Sequence, residues 1–337
     1  MYVLVTGGAG YVGSNIVRSL IDAGHRVCVV DDLSSGHRTA LPPEVELIVG
    51  SCGERASLDA VPRQPDCVMH MAAKCSVAES IQQPRAYYDA NLTQSIALMD
   101  WMVDRGVGRI IHSSTAAVYG TPERMPIDES TVTRPINAYG ATKLAVDDAI
   151  GHYAIAYGLR GVSLRYFNAA GARPDGSLGE DKTPASNLVP RVLAVALGRD
   201  DALEVYGSDY DSVDGTAVRD YVHVVDLAAA HLAALESMAS IDGSAVYNLG
   251  TETGTTVMQV VEAARQVTDH PIPVRVAANR PGDPPALIAS SARARDELGW
   301  VPTRSDLVTI LRDAWAWHQS HPAGYAPGAN RQTRRPG

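Results

Sequence analysis

No run of this sequence stays apolar for the roughly 20 residues that a bilayer-crossing helix needs, so no membrane partner is expected. Positive charge is also in short supply. Lysine and arginine number 29 against 38 acids, a formal net charge of −9. Nucleic-acid binders ordinarily present a basic face, so no nucleic-acid partner is expected either. Cysteine is sparse: Cys28, Cys52, Cys67 and Cys75 fall in the first quarter, with no CxxC pair and no neighbouring histidine set. They read as reduced thiols of a cytoplasmic protein, neither a disulfide frame nor a metal site. Internal repeats and low-complexity tracts are missing. A glycine-rich loop starts almost at Met1, which leaves no room for a secretory leader.

What is present points to one kind of fold. The chain has 337 residues, 45% of them hydrophobic. That suits a large α/β unit with a smaller part appended. The first stretch, Tyr2-Val3-Leu4-Val5-Thr6, is β-branched and runs into Gly7-Gly8-Ala9-Gly10-Tyr11-Val12-Gly13. Gly8-x-Gly10-x-x-Gly13 satisfies the dinucleotide fingerprint, and Gly7, Gly10 and Gly13 fit a wider spacing. Glycine frees φ for a tight turn and lets a pyrophosphate approach the backbone. An amphipathic helix to about Leu20 would point its unpaired N–H groups at the phosphates. A second strand ends at Asp31, roughly 20 residues beyond the loop, where a carboxylate takes ribose hydroxyls and repels a 2′-phosphate. The expected cofactor is therefore NAD. The plainer alternative for Asp31 is an exposed turn acid beside Asp32.

Further strands are expected at Val45–Val49, Cys67–Met71, Arg109–Ser113 and Val162–Arg165, with helices at Tyr87–Arg105 and Tyr139–Tyr157. Alternating short apolar strands and helices argue a doubly wound parallel sheet of the Rossmann type. Residues 1–170 are read as the NAD-binding domain, with 220–250 returning to it. A Gly/Pro/Asp/Ser-rich loop near Gly171–Pro184 leads to a smaller α/β substrate domain, 171–325. From Gly324 the chain is rich in Gly, Pro and Arg, and 326–337 read as a flexible tail.

Tyr139-Gly140-Ala141-Thr142-Lys143 carries the chemistry. Tyrosine and lysine four apart on a helix share a face. A nearby ammonium favours the phenolate. Moving a phenol from about 10 to about 7 takes roughly 4 kcal/mol, which a lysine, a nicotinium charge and a helix N-terminus could share. Tyr139 would then serve as a general base. Ser113-Ser114-Thr115 ends the Arg109–Ser113 strand, on the side where such sheets bind ligands. The alternative for that stretch is a Ser/Thr loop capping its own turn.

TGGAGYVGS, Asp31, SSTAAVYG and YGATK together resemble the extended short-chain dehydrogenase/reductase superfamily. LRYFN (164–168), NLVP (187–190), YGSDY (206–210), DGTAVRDYVH (214–223) and RPGD (280–283) narrow the resemblance to the UDP-glucose 4-epimerase family. It spans roughly Met1 to Tyr325. The resemblance implies that Tyr139 is the base, that Lys143 holds the nicotinamide ribose, and that Thr115 and Ser114 sit at the sugar hydroxyl. It implies NAD contacts from Gly7, Gly10, Tyr11, Val12, Gly13, Asp31, Asp32, Met71, Ala72, Ala73, Asn91, Ser113 and Tyr166, besides Tyr139 and Lys143. It places Asn168, Asn187, Leu188, Arg219, Arg280 and Asp283 at the UDP part, with Tyr206 near the uracil. The residue types agree: arginines suit a diphosphate, and an aromatic face suits a base. For Arg219 and Arg280 the alternative is surface ion pairing, and for Tyr206 ordinary packing.

The sequence departs from relatives in ways that sharpen the reading. Dehydratases of the superfamily carry Asp-Glu after the threonine, where Ala116 and Ala117 stand here, and decarboxylases need a glutamate at the second position. Gly50 is followed by Ser51-Cys52, so an aspartate contact to adenine is lost. The lysine of the loop after the fourth strand is displaced by one residue, to Lys74. Leu287 stands where residue size selects the sugar. Interconversion of UDP-glucose and UDP-galactose through a 4-keto sugar is expected. UDP-N-acetylhexosamine or a uronate is the alternative substrate, and a net dehydrogenase or a silent NAD-binding regulator the alternative class. Leu92, Ile96, Leu98, Met99, Ile150 and Ile155 are expected in an intersubunit helix bundle of a homodimer; the alternative is that they face their own sheet.

Overall fold

The computed structural model describes residues 1–182, 184–280 and 284–325. Six short stretches form β1 (Tyr2–Thr6), β2 (Arg26–Asp31), β3 (Glu46–Val49), β4 (Cys67–His70), β5 (Arg109–Thr115) and β6 (Arg160–Tyr166). With Ser244–Leu249 they make one seven-stranded sheet, ordered Ser244–Leu249, β6, β5, β4, β1, β2, β3. Every pairing in it is parallel; Val3 is opposite Val27 on one side and Cys67 on the other. The period-two alternation of a strand explains why nearly every residue of β1 is apolar. Val3 and Val5 pack on one face with Ile16, Val17 and Leu227, while Leu4 packs on the other with Leu98, Met99 and Ile110. Strand order reverses between β1 and β4, which opens a crevice at their carboxyl ends.

Beyond β6 the chain builds smaller units. Asn168–Ala170 pairs with Tyr221–His223, and Leu203–Tyr206 pairs with Val274–Ala277. Val218–Arg219 lies between Thr255–Thr256 and Ala286–Leu287. A separate core of Val192, Leu193, Val205, Val260, Ile310 and Leu311 supports them.

Three expectations are corrected. The helix expected at Tyr87–Arg105 is divided into Pro84–Tyr87, a π turn at Tyr88–Thr93, and Gln94–Arg105. The π turn carries the buried Asn91, whose amide bonds outside its own helix. Of the six apolar residues assigned to a bundle, Leu98, Met99 and Ile150 are buried in the core of their own sheet, and Leu92 and Ile96 pack against it. Ile155 alone among them is exposed, at 87%. Gly324 and Tyr325 are not part of a loose tail. Tyr325 is buried, its N–H donates to Asp181 Oδ2 at 2.8 Å, and its hydroxyl accepts the Gly179 N–H at 3.1 Å. Residues 326–337 lie outside the described residues.

Candidate active site

The turn after β1 is backbone-tight. Gly7 has φ +72°, and a Cβ there would stand 2.5 Å from the Ala72 nitrogen of the loop after β4. A Cβ on Gly13 would overlap the Gly7 carbonyl oxygen. Gly10 differs: the one protein atom near its Cβ direction is the Gly7 carbonyl oxygen, at 3.4 Å, and the remaining space is cavity. The helix Tyr11–Asp22 opens at Gly10 without a side-chain cap. Its first N–H groups and dipole form a cradle that fits a pyrophosphate.

Asp31 ends β2 beside that cradle. Its carboxylate accepts the Ala9 N–H and the Leu33 N–H, each at 2.9 Å. Burial pushes its pKa up, and the two backbone bonds oppose the push. It is a buried carboxylate on the cavity wall, not an exposed turn acid; Asp32 fits that description instead. A carboxylate held this way, with lone pairs to spare, fits a ribose diol. Tyr11, Val12, Asp32, Met71, Ala72, Ala73, Ser113 and Tyr166 line the same cavity. The Tyr166 hydroxyl lies 2.6 Å from His231 Nε2.

Asn91 stands behind the wall. Its amide accepts the Lys74 N–H at 2.8 Å and donates to the Lys74 carbonyl at 3.0 Å and to Thr142 at 3.2 Å. It therefore pins the loop after β4 to the helix Ala138–Tyr157. In that loop Lys74 turns to Glu79 at 3.1 Å, and the exposed thiol of Cys75 faces the cavity.

Asn137 caps the helix Ala138–Tyr157 by accepting the Gly140 N–H at 2.9 Å. This starts the helix so that Tyr139 reaches the cavity and Lys143 lies beneath it. Lys143 Nζ donates to the Ser113 carbonyl at 2.6 Å. Burial lowers its pKa to about 8, against the pull of Asp147. Tyr139 is governed by burial, which pushes its phenol up; the Thr115 hydroxyl opposes this. The lowering of Tyr139 expected from the sequence is thus not met in the chain alone: burial and the Cys75 thiol push the phenol up. Thr115 also accepts the Ala117 N–H at 3.2 Å. Ser114 points elsewhere and donates to Asp147 at 3.0 Å.

The far side of the cavity is built from later segments. Asn168, Asn187, Leu188, Tyr206, Arg219, Arg280 and Leu287 all line it. Asn187 donates to Glu180 at 2.7 Å. The Arg280 guanidinium lies 4.1 Å from the Tyr206 ring centre, and Arg191 lies 5.7 Å from it. Tyr206 therefore presents a cation-covered ring, and its hydroxyl donates to Glu204 at 2.8 Å. Arg219 is buried and donates to the Val218 carbonyl at 2.7 Å, so it is not a surface residue. Asp283 lies outside the described residues. The cavity measures about 1270 Å³, more than the roughly 300–1,000 Å³ typical of a site for one small ligand.

Sequence reasoning missed Glu180, Arg191 and Cys75. Burial raises Glu180 to about 7, a strong perturbation for a cavity carboxyl. Its flanking loop composition carried no signal for this. Arg191 could have been found, since it follows Asn187 by one helical turn. Among the described residues, no cluster of three His, Cys, Asp or Glu side chains could hold a metal, and no helix is long and apolar enough to cross a membrane.

Comparison with known proteins gives the same reading over the whole length. The family model "NAD dependent epimerase/dehydratase family" matches residues 3–250. The chain is 47% identical to a UDP-glucose 4-epimerase of Streptococcus mutans, over 96% of this chain and 99% of that protein. It is similar to the crystal structure of a Bifidobacterium longum UDP-glucose 4-epimerase with NAD+ and UDP, at TM-score 0.92 and 37% identity, covering 96% of this chain and 100% of that one. A Campylobacter jejuni UDP-Glc/GlcNAc 4-epimerase is similar at TM-score 0.82 and 34% identity, covering 95% and 99%.

Proposed function

We infer the reaction from one premise: the chain belongs to the NAD dependent epimerase/dehydratase family, and within it to the UDP-glucose 4-epimerases. It is an NAD-dependent enzyme that interconverts UDP-glucose and UDP-galactose. The observation that carries the residue assignment is the shared cavity. Tyr139, Thr115, Ser113 and Lys143 line one cavity together with Gly7, Gly10, Gly13, Asn187, Tyr206 and Arg280.

Gly7, Gly10, Gly13 and Asp31 would hold NAD, which would supply a reversible hydride acceptor at the sugar. Tyr139 takes the proton of the 4-hydroxyl, and Thr115 orients that hydroxyl. Lys143 holds the nicotinamide ribose and brings positive charge beneath Tyr139. Because burial alone raises the phenol, its deprotonation depends on cationic charge in the loaded site. Arg219 and Arg280 oppose the diphosphate, while Asn168, Asn187 and Leu188 hold the rest of the nucleotide. The 4-keto sugar turns its other face while UDP stays held. Ala116 and Ala117 provide no acid–base pair for elimination of water.

Leu287 lines the cavity and is smaller than an aromatic residue. It supports a second substrate class, UDP-N-acetylhexosamines. Residues 171–325 serve mainly as the nucleotide-sugar part. Exposed Tyr88, Ile155 and Tyr157 support a homodimer. A monomeric mass at micromolar concentration by light scattering contradicts the dimer. The reaction is tested by incubating purified protein, without added NAD, with UDP-galactose, UDP-N-acetylgalactosamine and UDP-galacturonate separately. Conversion of UDP-galactose to UDP-glucose supports the assignment; no conversion of any of the three refutes it.

A further inference from the structure

Tyr139, Lys143 and Asp147 stand four residues apart and so share one face of the helix Ala138–Tyr157. Asp147 has no part in the reaction described above. It is buried, and its Oδ2 accepts Ser114 Oγ at 3.0 Å and Arg165 Nε at 3.1 Å. Arg165 in turn donates to the Tyr119 hydroxyl at 2.9 Å, and that hydroxyl donates to Asn248 at 2.7 Å. Burying such a pair contributes little stability compared with well-packed apolar side chains, so a structural account alone leaves it poorly explained.

Its position suggests another use. Ser114 is flanked by Ser113, whose carbonyl receives Lys143, and by Thr115, whose hydroxyl bonds toward Tyr139. Fixing Ser114 therefore fixes the partners of both. The titratable groups facing Lys143 are Asp147 on its own helix, Cys75 and Cys52 from the loops after β4 and β3, His70 on β4 and His112 on β5. Both histidines are pushed toward the neutral form by burial, and Cys52 toward the thiol. Asp147 is the one carboxylate in that set; burial pushes its pKa up, and the Arg165 guanidinium and the Ser163 and Ser114 hydroxyls oppose the push.

We propose that Asp147 is the positioning residue of the Tyr139–Lys143 pair: it clamps the Ser113–Thr115 strand end through Ser114, and its carboxylate stands one helical turn from Lys143 on the same face. This rests on the assignment of Tyr139 and Lys143 above. The chain contains three lysines, Lys74, Lys143 and Lys182, so Lys143 can be followed individually by NMR of protein labelled with ε-¹³C lysine. In the NAD-loaded protein, Asp147→Asn is expected to move the Lys143 midpoint down by about one pH unit, a tenfold change in the charged-to-neutral ratio. The alkaline limb of kcat should shift by the same amount, with KM for the nucleotide sugar unchanged. Ser114→Ala breaks the clamp and leaves the charge, so kcat should fall while the Lys143 midpoint stays. If Asp147→Asn does not fold, Asp147→Leu combined with Arg165→Met removes the buried pair together and should give the same Lys143 shift. An unmoved Lys143 midpoint in the folded variant overturns the electrostatic role, and an unchanged kcat in Ser114→Ala overturns the clamp. The lysine titration reads out even if the wild type epimerises no sugar, so failure of the functional assignment is separable from failure of this one.

Discussion

The two ends of the cavity are made in opposite ways. The end proposed for the cofactor is built by backbone from one short stretch, Gly7 to Gly13, with Asp31 as its main side chain. The end proposed for the nucleotide sugar is built by side chains from several segments between Asn168 and Arg280. A backbone cradle depends on conformation and is intolerant of any added Cβ. A side-chain wall divides its binding among separable contacts, and a single loss weakens it without abolishing it. The contrast matches what each ligand must do: one stays through every turnover, the other enters and leaves.

Tyr139, where the two ends meet, carries the largest expected effect. Removal of a positioned general base costs about 10²–10⁴-fold, so Tyr139→Phe should lose that much kcat while retaining NAD, as read from turnover and from cofactor released on denaturation. Gly13→Ala should act on the cofactor end alone. Its Cβ overlaps the Gly7 carbonyl, and the purified variant should carry far less NAD than wild type. Full NAD content in that variant would break the contrast. Arg280→Ala should act on the other end. Losing a charge-assisted contact costs roughly 1.5–3 kcal/mol, so KM for the UDP-sugar should rise about 10–100-fold with NAD content unchanged. A loss of NAD there would show the two ends to be coupled.

Protonation gives a smaller effect. Lys143 is lowered to about 8, so its ammonium is lost as pH rises through that value. Activity should fall on the alkaline side from about 8 upward, before an unperturbed lysine would titrate. The smallest effect concerns stability. Both ring nitrogens of His112 are buried without a hydrogen-bond partner, and burial holds its pKa well below 6.5. The unfolded chain therefore binds a proton there that the folded chain refuses, and stability falls as pH drops below 6.5. His112→Phe should flatten that slope and raise the acid-side melting temperature by a few degrees, about 1 kcal/mol. An unchanged slope in calorimetry between pH 6.5 and 4.5 would count against it.

This difference in construction also decides what could be read in advance. The glycine loop, Asp31 and the parallel sheet were legible because local spacing dictates them. YxxxK was legible as a shared helical face. Direction was not legible. The resemblance implies an NAD contact from Asn91, yet its amide faces Lys74 and Thr142. Ser114 sits at the strand end, yet its hydroxyl faces Asp147. Leu98, Met99 and Ile150 are apolar on helices, and periodicity cannot say whether such a stripe meets its own sheet or another subunit. Glu180 went unnoticed because its perturbation comes from burial by distant segments, which a loop sequence does not display.

In the proposed reaction one hydride leaves C4 of the sugar and returns to it within a single holoenzyme. UDP-galactose carrying deuterium at C4, incubated in ordinary water without added NAD, tests this. The expected product is UDP-glucose with the deuterium retained at C4, and no NADH accumulates in solution. Loss of the label to solvent, or NADH formed in step with a released keto sugar, would contradict it.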